Sequence, residues 1–180
     1  QQPAQQALRF ILAAQNPEEG GWRYGPRLGS DTSVSGWQLM ALKSGELAGL
    51  DVPRGAYRMV EKWLNHAQGA GGDPSRYAYR PLAEQADQRE PSPVMTAEAL
   101  LMRQYLGWRK DNAHMVTGAD WLVTLTPRVG EPSRLRPWGE RDAYYWYYAT
   151  QVMFQMQGDH WRQWNEPLRE MLVAQQRSEG

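Results

Sequence analysis

Hydrophobic residues recur at helical spacing along this chain, and loops rich in glycine and proline separate the helical segments. Four segments are apolar on one side only, as is typical of half-exposed outer helices, and they cover residues 3–15, 54–68, 113–125 and 167–176. No run shows the two-residue alternation of a half-buried β-strand. The pattern therefore predicts an all-α protein.

Three other segments carry bulky apolar residues on more than one side, which is typical of buried helices. They cover residues 35–50, 93–108 and 142–157 and alternate with the outer segments. The pattern repeats about every 50 to 60 residues, a period that fits helical hairpins with long loops. We expect a single domain over residues 1–180, built from three hairpins and a seventh helix.

Composition excludes several classes of function. The 20 basic and 20 acidic residues balance, so no net charge favours nucleic acid. There is no cysteine, which removes disulfides and thiolate ligands and leaves the localisation unknown. No apolar run approaches the roughly 20 residues of a membrane span. Because the chain begins at Gln1 rather than Met, we expect it to be a segment of a longer protein.

A motif recurs at the ends of the outer helices. The first copy is Gln15, Gly20, Gly21 and Trp22. In such a motif the glutamine amide can bind free backbone groups at the helix end, the glycines turn the chain, and the indole covers the junction. Gln68 and Gln176 mark two later helix ends, Tyr77-Ala78-Tyr79 stands in place of the tryptophan in the second copy, and Trp138 follows the third outer helix.

This motif resembles the Gln–Trp repeat of squalene–hopene cyclases and related terpene cyclases, whose architecture protein prenyltransferases share. The resemblance implies an α/α-toroid of inner and outer helices. A closed ring of six such hairpins needs about 300 residues, so we expect an incomplete ring of about half that size. An incomplete ring leaves an open edge through which copies can oligomerise.

The resemblance also predicts which chemistry to look for. The cyclases use an acidic Asp-x-Asp-Asp-Thr motif, whereas this chain has only Asp31-Thr32-Ser33, which predicts a helix N-cap. Prenyltransferases bind zinc through Asp, Cys and His, and His66, His114 and His160 lack ligand spacing. We therefore expect no catalytic residue, metal or cofactor.

Glu98 lies in an inner segment, either as a buried acid with a raised pKa or, as we favour, facing a solvated mouth.

Five consecutive aromatic residues, 144–148, cover every side of the last inner helix. We interpret them first as core and second as the wall of a ligand cleft. The predicted cleft residues are Tyr24, Trp37, Tyr144, Tyr145, Trp146 and Tyr148. The sequence thus predicts a non-catalytic repeat domain that binds an apolar or peptide-like partner, a hydrophobic small molecule or a protein. The alternative is part of a terpene-cyclase-like enzyme acting on a polyprenyl substrate, with its acid motif outside this chain.

Overall fold

The computed structural model describes residues 2–69, 72–81, 83, 86–129 and 143–176. Within these residues the regular structure is helical, with only isolated β-bridges beside it, so the predicted all-α class is confirmed. The helices are α1 (Gln2–Ala14), α2 (Thr32–Leu47), α3 (Arg54–Ala67), α4 (Ala86–Arg89), α5 (Pro93–Tyr105), α6 (Ala113–Val123), α7 (Ala143–Met156) and α8 (Gly158–Gln175).

Polar side chains cap the starts of three helices. Asp31 Oδ1 accepts a hydrogen bond from the Val34 amide at 2.7 Å, which confirms the predicted N-cap of α2. Ser92 caps α5 and Asn112 caps α6 in the same way. Each cap satisfies amide groups that have no partner inside the helix, so these starts are encoded locally.

The three helices predicted to be internal lie side by side. Helix α5 packs against both α2 and α7. The remaining long helices pack on this row: α1 and α3 on α2, α6 on α5 and α7, and α8 on α6 and α7. The core lies between the two layers, because fully buried side chains such as Leu39, Leu100 and Val152 come from the inner row.

The last helix begins earlier than the sequence pattern predicts. The one-sided apolar pattern of Leu168, Met171 and Leu172 predicts a helix over residues 167–176. In the structure α8 begins at Gly158, and Pro167 lies inside it. Trp164 explains the difference: its side chain is fully buried and donates a hydrogen bond to Thr150 Oγ1 at 2.9 Å. Packing of the residues before the proline outweighs its intrinsic cost in a helix.

The first glutamine motif joins a helix end to its loop. Gln15 Nε2 donates to the carbonyl oxygens of Gly20, at 2.8 Å, and Ala56, at 3.1 Å. Trp22 is buried, and its indole donates to the Ile11 carbonyl at 2.7 Å. Gly20 has a φ of +97°, and a Cβ there would lie 2.1 Å from the Met59 carbonyl oxygen, so only glycine fits.

The second motif repeats this geometry. Gln68, the C-cap of α3, donates to the Pro74 carbonyl at 2.7 Å. Tyr77 takes the place of Trp22: its amide donates to Thr96 Oγ1, as that of Trp22 donates to Ser35 Oγ. The Trp22 carbonyl accepts a hydrogen bond from the amide of Asp31, the N-cap of α2. The Tyr77 carbonyl accepts one in the same way from the amide of Ser92, the N-cap of α5. Gln176 is the C-cap of α8, whereas Trp138 lies outside the described residues.

Candidate binding site

A buried carboxyl group links the three inner helices. Glu98, on α5, is fully buried, and its Oε2 accepts a hydrogen bond from the Tyr144 hydroxyl of α7 at 3.0 Å. The Tyr144 oxygen lies 2.5 Å from Ser33 Oγ, in the first turn of α2. These polar contacts therefore join all three inner helices, with Tyr144 of α7 bonded to both α5 and α2.

The second carboxyl oxygen of Glu98 is packed against a glycine. A Cβ at Gly36 of α2 would lie 2.1 Å from Glu98 Oε1, so the glycine makes room for the carboxyl group between α2 and α5. No hydrogen bond of good geometry reaches Oε1 or the Tyr148 hydroxyl from the described residues, although the Tyr148 hydroxyl lies close enough to the carboxyl group to act on its ionisation. Unsatisfied polar atoms of this kind are uncommon in protein interiors.

Glu98 is uncharged at neutral pH in this environment. Burial is the main cause that raises the pKa of its carboxyl group, and the nearby charge of Asp31 raises it further. The Tyr144 and Tyr148 hydroxyls lower the pKa in part, and the result is a pKa of about 9. The expectation that Glu98 faces a solvated mouth is wrong, because α2 and α7 cover this side of α5.

Asp31 is a second buried carboxyl group, with a different set of partners. Besides capping α2, it accepts a hydrogen bond from the Tyr79 hydroxyl at 3.1 Å, and Arg23 Nε lies 3.6 Å from its Oδ2. Burial raises the pKa of Asp31, whereas the Val34 amide, Tyr79, Arg23 and Arg80 lower it. Burial outweighs these four contacts, so the pKa of Asp31 stays above its usual value.

Four aromatic side chains lie together beside the hydrogen-bonded residues Ser33 and Glu98, and one of them, Tyr144, takes part in those bonds. We call these four residues the aromatic cluster: Trp37, Tyr144, Tyr147 and Tyr148. The Trp37 and Tyr147 rings are nearly parallel, with centroids 6.2 Å apart. The Tyr148 ring stands across both, with centroids 6.3 Å from Trp37 and 5.1 Å from Tyr147. Trp37 is 49% exposed and Tyr147 is 45% exposed, so the cluster opens to solvent.

Three of the six predicted cleft residues come together here: Trp37, Tyr144 and Tyr148. Tyr147 is not among the six, although residues 144, 147 and 148 have the spacing that places side chains on one face of a helix. That spacing was the signal that could have identified Tyr147. The 144–148 run alone does not indicate which of its faces meets α2.

The other three predicted cleft residues lie elsewhere. Tyr145 is fully buried towards the outer layer, where its hydroxyl donates to the Leu122 carbonyl and its ring packs on Trp164. Trp146 is partly buried against the core. Tyr24 is 82% exposed in the loop before α2, where it stacks with Arg23 and lines a depression of about 210 Å³. Helix α7 thus turns Tyr145 away from the aromatic cluster, towards Leu122 and Trp164.

The described residues contain no cluster of His, Cys, Asp or Glu suited to a metal ion. None of the helices in the described part combines the length and apolar character needed to cross a membrane. Comparison with models of protein families, with curated proteins and with solved structures gave no significant match.

Proposed function

We propose that this chain is a non-catalytic α/α repeat domain, similar to the toroid repeats of squalene cyclases and prenyltransferases. Two features support the repeat: inner helices lie in a row, and the contacts of Gln15 and Trp22 recur at Gln68 and Tyr77. Both features arise from separate segments with little sequence identity, so a common structural unit explains them better than chance. Rings built from such units present their inner helices to a central space.

The domain binds an apolar or peptide-like partner through the aromatic cluster. The observation that carries this proposal is the half-exposed, parallel pair of Trp37 and Tyr147 on neighbouring inner-row helices. Large aromatic rings lose little conformational entropy on binding and bury much apolar area, so they are common anchors in binding sites. The polar chain of Ser33, Tyr144 and Glu98 beneath them adds hydroxyl groups that can orient a partner.

A terpene-cyclase-like enzyme is the second candidate, and Glu98 is the observation that favours it. A carboxyl group that stays protonated at neutral pH is a potential proton donor. Its full burial argues against this role, because a substrate atom must come within hydrogen-bond distance of the acid. Incubation with squalene and mass analysis of products tests the enzyme directly: turnover that Glu98→Gln abolishes would overturn the non-catalytic proposal.

Binding of a hydrophobic fluorescent probe, anilinonaphthalene sulfonate, tests the site. We expect the parent chain to bind the probe and the double variant Trp37→Ala/Tyr147→Ala to lose at least about five-fold in affinity, since hot-spot aromatics dominate such sites. Phe154→Ala is the matched control, because Phe154 is also an exposed aromatic residue of α7 but packs on Trp161 of α8. Equal losses in the double variant and the control would refute the proposed site.

A further inference from the structure

A pocket of about 320 Å³ lies between α2, α3 and the end of α5, and we call it the basic pocket. Its volume is at the lower end of the range for ligand pockets, so it suits a small molecule. It shares no residue with the aromatic cluster, so a ligand here is independent of the partner proposed above. The side chains that define it are Lys43 and Glu46 of α2, Arg54, Tyr57 and Arg58 of α3, and Tyr105 of α5.

The charges that line the basic pocket do not balance. Three cationic side chains face one carboxylate, Glu46, which leaves a net charge of +2. The chain as a whole has equal numbers of basic and acidic residues, so this surplus is local and does not follow from composition. Positive charge concentrated in a concave place attracts anions.

Glu46 already has its partners within the chain. Its Oε2 accepts hydrogen bonds from Lys43 Nζ at 2.5 Å and from the Tyr57 hydroxyl at 3.1 Å. The Lys43 ammonium group also lies 5.0 Å from the centroid of the Tyr57 ring, within the range of a cation–π contact. The hydrogen bond from Lys43 is the main cause that lowers the pKa of Glu46, so this carboxylate is charged at neutral pH and compensates Lys43.

Arg54 and Arg58 have no comparable partner. Within the described part of the chain, neither side chain forms a hydrogen bond or an ion pair. The two arginines are four residues apart in α3, which places them on one face of the helix. Arg58 Nη2 lies 3.8 Å from where a Cβ on Gly55 would be, so its guanidinium reaches back to the first turn, which Arg54 begins. Like charges at this spacing repel each other, and an anion bound beside both would relieve the repulsion.

We propose that the basic pocket binds a small phosphate monoester, with Arg54 and Arg58 as the residues that contact the phosphate group. A guanidinium group presents donors in a planar fork that matches two phosphate oxygens. A phosphate monoester carries about −1.5 to −2 charges at neutral pH, which matches the two arginines left without partners. Tyr105 and Leu106 are partly buried at the edge of the core and offer apolar surface to the organic part of the ligand.

Phenyl phosphate and benzyl alcohol test the proposal by calorimetry, because both carry one aromatic ring and only the first is an anion. We expect phenyl phosphate to bind at least about ten-fold more tightly than the alcohol. Arg54→Gln and Arg58→Gln should each weaken phenyl phosphate binding at least about five-fold, since each removes a charge-assisted hydrogen-bond donor. Arg9→Gln is the matched control, because it removes the same charge from an exposed position of α1 outside the pocket, and it should change the affinity less than about two-fold.

Arginine modification by phenylglyoxal gives a second measurement on the unchanged protein, so it does not depend on how a variant folds. Phenyl phosphate should slow the modification of Arg54 and Arg58, mapped by peptide mass, and leave that of Arg9 unchanged. Absence of phenyl phosphate binding at about 10 mM would overturn the proposal. Equal weakening by Arg9→Gln and Arg58→Gln, or equal protection of all three arginines, would also overturn it, because either result indicates general attraction of anions rather than a site.

Discussion

Neighbouring helices determine the ionisation of Glu98. The side chain is fully buried, and its contacts come from Gly36 on α2 and from Tyr144 on α7. In the unfolded chain the carboxyl group regains water and its pKa returns to 4.5 from about 9. A single residue thus couples folding to the binding of one proton.

Glu98→Gln is expected to change the pH dependence of stability. Because the folded pKa is the higher one, the stabilisation from the protonated acid is fully present below pH 4.5 and is lost as pH rises through about 9. Relative to the variant, the parent should lose unfolding free energy across this window, with a slope of at most about 1.4 kcal/mol per pH unit. Urea denaturation of both proteins across the window measures it. A difference that does not vary with pH would contradict a raised pKa.

Truncation to alanine should lower the unfolding free energy much more at Tyr145 than at Trp37. Tyr145→Ala removes a fully buried ring and its hydrogen bond to Leu122, so we expect a loss of about 3–5 kcal/mol of unfolding free energy. Trp37→Ala removes a half-exposed ring and should lose less than about 1.5 kcal/mol. Thermal and urea denaturation provide the comparison. A larger loss at Trp37 than at Tyr145 would show that the aromatic cluster is core.

At the scale of elements, α2 and α5 meet where Gly36 faces Glu98. The helices approach so closely that a methyl group at position 36 would overlap Glu98 Oε1. Glycine is unfavourable inside a helix, so its presence in α2 is explained by this contact rather than by helix propensity.

Gly36→Ala is therefore expected to destabilise the protein by about 1–3 kcal/mol, as overpacking does. The penalty should shrink in a Glu98→Ala background, where the methyl group has room, and a double-mutant cycle measures this coupling. Gly55→Ala in α3 is the control, because its nearest neighbour is the flexible end of Arg58 at 3.8 Å. A gain in stability from Gly36→Ala in the parent would contradict the close approach.

At the scale of the whole molecule, contacts between hairpins tie the described helices into one core. Arg103 of α5 bonds to Asn65 of α3 and to the Tyr77 loop, and α7 joins α5 to α8. Buried side chains of α1, α2, α3, α5, α6, α7 and α8 belong to one continuous cluster. Such continuity favours unfolding as a unit.

We expect a single transition in urea, with far-ultraviolet circular dichroism and tryptophan fluorescence giving the same midpoint. Trp22→Ala should lower the unfolding free energy by about 3 kcal/mol, since it removes a buried indole that bonds to Ile11, and should shift both probes together. Two separated transitions, or a spectrum dominated by strand, would contradict this description of the fold.

Local patterns in the sequence were enough to predict the seven longer helices and the cap of α2, although they placed the start of α8 too late and missed the short helix α4. Asp31 could be recognised as a cap, and Gln15, Gly20 and Trp22 as a helix-end motif, because their contacts lie within a few turns of the chain. The inner row could be identified because helices that are apolar on several sides must be covered. These features depend on spacing, which a sequence displays directly.

Only the tertiary structure decided the environment of Glu98 and the membership of the aromatic cluster. The partners of Glu98 come from segments far away in the chain, Gly36 and Tyr144, so no local pattern reveals that it is buried. In the 144–148 run, the rotation of α7 against α2 turns Tyr147 to Trp37 and Tyr145 to Trp164. Periodicity determines which residues share a helix face, but packing between helices determines what each face meets.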